Sequence, residues 1–277
     1  MKKYVFLLLV ALLCYGTVLA ETPVNRTIDA TSEGEVSIEI IAGELKVIGW
    51  ERNEVLIEGV LGDDVKELEV ESDGDGISIE VELDDDKKIK DEGYANLEIH
   101  VPYGAKLDLE CIAVEIDVSG ITGVVEIESI SGNISISGRP RTIDIESISG
   151  NLLIEDGADE IDIELVSGDL TIAGESLTDV DLESVSGKIR FEGGLSADAD
   201  LSIESVSGDI LVLVPAGSSA RVDLATFSGG LESDFGEMKV EKQKHIPSQD
   251  ASFTIGGGHG ARISVETFSG TIEIREK

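Results

Sequence analysis

Basic residues are scarce in this chain, and their scarcity excludes the first class of function to consider. The 277 residues include 21 Lys and Arg against 57 Asp and Glu, a formal net charge of −36. Nucleic-acid binders neutralise phosphates with clustered Lys and Arg, and a field this negative repels DNA, RNA and anionic lipid headgroups alike. The chain is therefore not expected to bind nucleic acid.

Histidine and the aromatic residues are also sparse. Three His, at positions 100, 245 and 259, match neither a zinc site nor a histidine-based triad. Aromatic residues make up 4% of the chain, which leaves little to form a stacking platform for sugars. We therefore predict no catalytic residues and no cofactor, and a protein that is not an enzyme.

Residues 1–20 have the features of a secretory signal peptide. Lys2 and Lys3 precede an apolar run, and small residues end the segment at Ala20. A lipoprotein would need a small residue before Cys14, where the chain has Leu13. We predict a secreted protein, periplasmic or at the cell surface, with no integral membrane segment after signal cleavage. Its only remaining cysteine, Cys111, continues an alternating apolar face and is predicted to be a buried, unreactive thiol.

An internal repeat is the most informative feature of the sequence. The motif E-S-[IV]-S-G, followed by an alternating strand, has clear copies ending at glycines 132, 150, 187 and 208, and divergent copies ending at 120, 168, 229 and 270. Most of these glycines are 18–21 residues apart, a period that suits one coil of a β-solenoid. We predict an all-β, single-stranded β-solenoid over residues 111–277, preceded by a less regular β-rich region, residues 21–110, that is continuous with it.

The alternation around each motif predicts which side chains face inward. The inward aliphatic residues are predicted on odd positions before the first clear motif and on even positions from the motif onward, starting with Ile130, as a corner with Gly at positive φ requires. Stacked coils would then form one inner column from Ile130, Ile148, Val166, Val185, Val206, Phe227 and Phe268. The same register would form one outer column from Glu128, Glu146, Glu164, Glu183, Glu204 and Glu266.

The outer column of carboxylates has two interpretations. Like charges this close repel one another, so the column costs stability unless salt, a cation or a partner compensates it. It can be a solvated face that prevents edge-to-edge aggregation. Alternatively, it can be a surface that binds divalent cations weakly, although no EF-hand loop is present.

A basic insertion at 237–250 interrupts the array before its last copy. It contains Lys239, Lys242 and Lys244, which no aspartates bracket. Long insertions in solenoids usually project from one face and often carry binding. The three lysines and the six glutamates of the outer column are therefore the candidate interaction surface.

The repeats resemble those of the bacterial putative-adhesin family, a β-strand-repeat domain of unknown function. The resemblance covers about residues 35–277 and is carried by the E-S-V-S-G-D-I form at 204–210, its copies, the V-P-x-G step at 101 and 214, and the closing segment 258–270. It implies an extracytoplasmic, non-enzymatic module, and some relatives are associated with envelope-stress sensing.

Three functional hypotheses remain open. The first is an exported interaction module that binds protein or glycan at the cell envelope. The second is an envelope-stress sensor or scaffold that responds to cationic ligands, which the negative charge would attract. The third is a carbohydrate-active β-helix enzyme that uses a carboxylate pair.

Overall fold

Every regular element in the computed structural model is a β-strand. The structure describes residues 21–74, 76–83, 94–236, 238–242, 248–258 and 260–277; the predicted signal peptide lies outside these ranges. The first seven strands are β1 (Thr22–Asp29), β2 (Glu35–Trp50), β3 (Glu54–Leu61), β4 (Val65–Asp73), β5 (Gly76–Leu83), β6 (Ala95–Pro102) and β7 (Lys106–Ser119).

The remaining strands form the middle and the C-terminal end. The middle comprises β8 (Val124–Ser131), β9 (Ile134–Ser137), β10 (Thr142–Ser149), β11 (Leu152–Ile154), β12 (Glu160–Ser167), β13 (Leu170–Ser186) and β14 (Ile189–Ser207). The end comprises β15 (Ile210–Val214), β16 (Ala220–Ser228), β17 (Leu231–Ser233), β18 (Val240–Lys242), β19 (Gln249–Ile255), β20 (Ala261–Ser269) and β21 (Ile272–Glu276). The predicted all-β class is confirmed.

In the middle of the molecule, successive passes of the chain stack in parallel. Ile145 of β10 pairs with Ile127 of β8 on one side and with Ile163 of β12 on the other, each 18 residues away. The next passes follow after 19 and 21 residues, since Ile163 pairs with Leu182 and Leu182 with Ile203. The stacking is β-solenoid-like, and its offsets equal the spacing of the motif glycines.

At both ends the order of the strands departs from the order of the chain. Strand β2 lies between β7 on one side and β5 and β6 on the other. Likewise β20 lies between β14 and β16, so the last motif copy enters the stack one place before the copy that precedes it in sequence. Antiparallel strands complete each end: β1 on β3 and β4 on β5 at one end, β19 on β16 and β18 on β19 at the other.

Aliphatic columns form the core. In β8, Val125 and Ile127 are buried, and after the corner Ile134 and Ile136 are buried. Because strand side chains alternate between the two faces, each coil sends one aliphatic set inward and leaves the acidic set outside. Complete burial of one such side chain contributes about 1.5–3 kcal/mol, and the stack repeats this contribution in every coil.

The motif glycines form the predicted corners. Gly150 has a φ of +131°, and a Cβ built on it would overlap the backbone carbonyl of Gly132 in the preceding coil. The serines before four of these glycines bond to the neighbouring coil; for example, the Ser149 hydroxyl donates to the Ile130 carbonyl at 3.1 Å, and the Ser131 hydroxyl to the Ile112 carbonyl at 2.9 Å. A corner of this kind therefore needs glycine, because any side chain there would overlap the backbone of the neighbouring coil.

The predicted inner column of motif residues is wrong. Its members are 39–58% exposed, and the serine that precedes each isoleucine is buried instead, as Ser129 and Ser147 are. The alternation of the strand continues through Ser129 to Ile130, and the change of parity comes only afterwards, between Ser131 and Ile134. Ile130 consequently has the same outward orientation as Glu128, and the column lies on the surface: Ile130, Ile148, Val166, Val185, Val206, Phe227 and Phe268.

Candidate functional site

A groove of about 930 Å³ runs along the outside of the stack where the motif residues lie. Each coil contributes three consecutive residues to it. In β8 these are exposed Glu128, buried Ser129 and exposed Ile130. The stack repeats this triplet, so the groove has an acidic wall, a floor of small residues and an apolar wall, all parallel to the stack axis.

One wall is an uninterrupted line of glutamates, which we call the acidic row. Strand pairing places each glutamate directly beside the next, from β5 through β20. In stack order the acidic row is Glu80, Glu39, Glu110, Glu128, Glu146, Glu164, Glu183, Glu204 and Glu266. The six glutamates of the predicted outer column do lie together, and three residues from the N-terminal strands extend their line.

The opposite wall is a line of exposed hydrophobic side chains, which we call the apolar row. Two isoleucines from β2 and β7 extend the column described above. In stack order the apolar row is Ile41, Ile112, Ile130, Ile148, Val166, Val185, Val206, Phe268 and Phe227. Within a strand, the residues of the two rows are two positions apart, or about 6.6 Å.

Small residues occupy most of the groove floor. Ser129, Ser147, Ser184 and Ser205 are 4–8% exposed, and no described residue is a hydrogen-bond partner of their hydroxyls. Cys111 occupies the same level in β7, where burial, and then the charge of Glu110, raise the pKa of its thiol to about 12. A thiol with so high a pKa stays protonated at neutral pH, so Cys111 is the unreactive thiol that its sequence context predicts.

The side chains that the structure describes provide no compensating charge to the acidic row. Among the residues that the structure describes, no Lys, Arg or His lies within salt-bridge distance of any glutamate in the row. Burial, and then the charges of Glu80 and Glu110, raise the pKa of Glu39 above its usual value. Neighbouring glutamates therefore contribute to repulsion at Glu39, as expected for like charges on paired strands.

An aromatic pair distinguishes one end of the groove. Phe227 and Phe268 stack with ring centroids 4.8 Å apart and planes inclined by 7°. At this end the line of glutamates stops, because Ala225 pairs with Glu266 and Asp250 pairs with Ala225. The two ends of the groove therefore differ: aliphatic residues line most of its length, and exposed aromatic rings lie at one end.

Of the basic insertion, Ser248 and Asp250 line the groove, whereas Lys239 does not. Lys239 is exposed ahead of β18, Lys242 is in β18, and Lys244 lies outside the described residues. Strand β18 pairs with β19, which pairs with β16, so the described part of the insertion extends the end of the sheet rather than projecting from a face. Sequence reasoning predicted six glutamates of the acidic row but missed the apolar row. The signal was present: if the alternation of β8 is continued from Ile127 through Ser129, Ile130 faces outward.

In the described ranges, no three His, Cys, Asp or Glu side chains converge so as to hold a metal ion. The same ranges contain no helix with the length and apolar character needed to cross a bilayer.

Two solved structures from one bacterial strain have folds similar to that of this chain. A protein from Parabacteroides distasonis ATCC 8503 titled a putative lipid binding protein has 12% identity and a TM-score of 0.53, over 92% of this chain and 96% of that one. A putative adhesin from the same strain has 12% identity and a TM-score of 0.52, over 92% and 97%. Identities this low show the fold alone. No curated protein matches the sequence.

The match to a protein family is more extensive. The family described as Toastrack DUF4097 matches residues 25–275. This match confirms the resemblance to the putative adhesins, and it spans both the irregular N-terminal strands and the regular repeats. The chain belongs to the Toastrack DUF4097 family.

Proposed function

We propose that this protein is an exported, non-enzymatic binding module of the cell envelope and that the groove is its binding surface. The partner is a protein or a glycan held along the stack axis. The observation that carries the proposal is the apolar row, because contiguous exposed hydrophobic side chains, unlike scattered single ones, are typical of interaction sites. A line of nine exposed or half-exposed hydrophobic side chains marks an interaction surface.

The proposal includes one continuous β-solenoid over residues 21–277. Parallel pairing of β2 with β7, over both the 35–42 and the 43–48 parts of β2, supports it. The groove also crosses this junction, since Ile41 and Ile112 stand beside each other at the same wall. A binding surface that spans the junction is consistent with one functional unit.

A second candidate is an envelope-stress sensor or scaffold that responds to cationic ligands. The uncompensated acidic row favours it, because a cation placed there would relieve the mutual repulsion of the glutamates. No arrangement in the described part of the chain favours the carbohydrate-active alternative over these two.

Binding of residues 21–277 to purified cell-wall glycan and to detergent-solubilised envelope proteins tests the proposal. The groove variant Ile130→Thr/Ile148→Thr/Val166→Thr removes apolar surface from exposed positions, so it should fold normally. Leu153→Thr is the matched control, because Leu153 is 40% exposed on another face. We expect the groove variant to lose about tenfold or more in affinity, and the control to bind like the wild type.

Two results would overturn the proposal. One is equal binding by the groove variant and the wild type. The other is hydrolytic turnover of a polysaccharide, which would make the protein an enzyme. Lys239→Gln separately tests the basic insertion, and we expect it to leave binding unchanged because Lys239 does not line the groove.

A further inference from the structure

The chemistry of the two groove walls specifies the partner more closely. We infer that the groove binds a cationic amphipathic α-helix that lies along the stack axis, with its apolar stripe on the apolar row and its basic stripe on the acidic row. The inference rests on the proposed function and names the partner of that same site.

The acidic row selects the charge of the partner. Its glutamates are aligned without a cation from the described part of this chain, and a partner's Lys or Arg residues would supply the missing charge. A second copy of this protein would instead bring two acidic rows together, in a chain whose net charge is −36. Complementarity of charge therefore favours a basic partner over self-association.

The apolar row selects an amphipathic partner rather than a purely basic one. Its central members, Ile148, Val166 and Val185, are 48–52% exposed, so about half of each side chain remains to be covered. Aliphatic side chains do not form the aromatic platform on which sugars stack, and the only rings in the row are Phe227 and Phe268 at one end. An apolar stripe from a polypeptide covers this surface better than a glycan does.

The spacing of the rows favours a helix over an extended chain. Successive coils are about 4.8 Å apart along the stack. One stripe of an α-helix presents a side chain about every 5.4 Å, close to the spacing of the coils. An extended chain along the same axis presents side chains on one face about every 6.6 Å, so they fall out of step with the coils after two or three residues.

The length of the groove sets the size of the helix. Nine coils give eight intervals, or about 38 Å, which a helix of about 25 residues spans. A helix of 18 residues covers about 27 Å and is long enough to contact five or six coils of both rows. The stacked rings at one end offer a cation–π position to a basic residue of the helix, next to Glu266.

Designed peptides test this inference directly. The probe is an 18-residue Leu/Lys amphipathic helix with a fluorescent label, titrated with residues 21–277 and followed by anisotropy. The comparison peptides are a scramble of the same composition without a helical stripe and a Leu/Glu helix of equal amphipathicity. We expect the Leu/Lys helix to bind at least about tenfold more tightly than the scramble, and the Leu/Glu helix not to bind.

Two groove variants assign the binding to the two walls. Glu146→Gln/Glu164→Gln/Glu183→Gln should weaken the probe several-fold at low salt and flatten its salt dependence. Ile148→Thr/Val166→Thr/Val185→Thr should weaken it about tenfold at every salt concentration. The matched controls are the exposed set Glu155→Gln/Glu175→Gln/Asp198→Asn, with the same change in charge, and Leu153→Thr.

The results separate this inference from the proposed function. Equal binding of the scramble, or equal loss in the charge control, would mean non-specific attraction to an acidic protein and would overturn the inference. If the groove variants lose their envelope partner but no version of the protein binds the probe, the proposed function stands and the helical partner is wrong. If both losses occur in the groove variants alone, both are supported.

Discussion

From β8 to β14, each pass of the chain stacks on the pass before it, whereas at either end a strand from elsewhere in the chain enters out of order. Most coils of the middle repeat one set of contacts: a stacked glycine corner, a buried serine and a glutamate of the acidic row that no described cation pairs. The ends have antiparallel strands and paired charges. At the C-terminal end, for example, Arg275 bonds to Asp234 at 2.9 Å and to Glu273.

The difference follows from the edges that a parallel stack would leave open. Unpaired strand edges invite pairing with other chains, and antiparallel strands such as β19 cover them with hydrogen bonds of their own. In the middle, each coil has another coil on either side, so its strand edges are already paired. We expect a corner in the middle to tolerate substitution far less than a turn at an end, because its neighbours are backbone atoms.

The largest effect in this comparison should come from glycine. Gly150→Ala places a Cβ against the backbone of Gly132 at a φ of +131°, and neither coil can move without moving its own neighbours. We expect a loss of more than about 3 kcal/mol in the free energy of unfolding, or failure to fold. Urea denaturation followed by circular dichroism measures the loss.

A glycine near the C-terminal end is the control. Gly217 also has a positive φ, of +84°, but a Cβ there would meet no atom within 4 Å. Gly217→Ala should therefore cost only the conformational strain, about 1–2 kcal/mol. Equal losses at the two sites would show that backbone conformation, rather than stacking, makes the corner glycines necessary.

The middle could be predicted from sequence, and the ends largely could not. The copies at 128–132 and 146–150 are identical at all five residues, at an offset of 18 that also separates the paired residues Glu128 and Glu146. The pairing of β14 with β20 joins Glu204 to Glu266, and no local period encodes a contact across 62 residues. The interval of 41 between the last two motif glycines signalled an interruption but not the place of β20.

The apolar row was missed for a different reason. The hydrophobicity of Ile130 suggested burial, and Ser129 is compatible with either orientation. What decides between them is the position of the turn, which comes after Ile130 because the positive φ lies at Gly132. Hydrophobicity alone places an isoleucine inside, and here the strand geometry overrides it.

Removing a buried hydroxyl should change the free energy of unfolding by an intermediate amount, with opposite signs in the two regions. Ser184, in the middle, is buried without a hydrogen-bond partner among the described residues, whereas the Thr226 hydroxyl, at the end, donates to the Gly270 carbonyl at 3.3 Å. Ser184→Ala removes only a desolvated polar group, so we expect a gain of up to about 1 kcal/mol. Thr226→Val should lose about 0.5–1.5 kcal/mol.

Chemical denaturation of the two variants measures both signs. Leu165, which occupies the same level of β12 as the serines, indicates that an apolar side chain fits the floor. A loss at Ser184 as large as that at Thr226 would mean that the buried serines form hydrogen bonds that stabilise the corner.

The smallest effect should be that of pH on the outer carboxylates. Burial, then the charges of Asp144 and Asp181, raise the pKa of Asp162 above its ordinary 3.8, whereas hydrogen bonds from Lys277 and Arg190 lower the pKa of Glu192 below 4.5. The folded chain therefore binds the Asp162 proton more tightly than the unfolded chain does. Ionised Asp162 destabilises the fold in full above the raised pKa, and this destabilisation is absent below 3.8. The contribution of Glu192 has the opposite sign: it is present above 4.5 and lost as the pH falls through the lowered pKa.

As the pH is lowered, protonation of Asp162 acts to raise the melting temperature of the wild type, whereas protonation of Glu192, which frees Lys277 at the C-terminal end, acts to lower it. At pH 7.5, Asp162→Asn should raise the melting temperature by about 2 °C or less, since solvent screens so exposed a group. Its advantage should vanish near pH 3.5 and shrink in 0.5 M NaCl, whereas Glu192→Gln should lower the melting temperature at pH 7.5. A melting temperature that falls steadily below pH 7.5, with no gain from Asp162→Asn, would show that paired charges at the ends outweigh the repulsion along the middle.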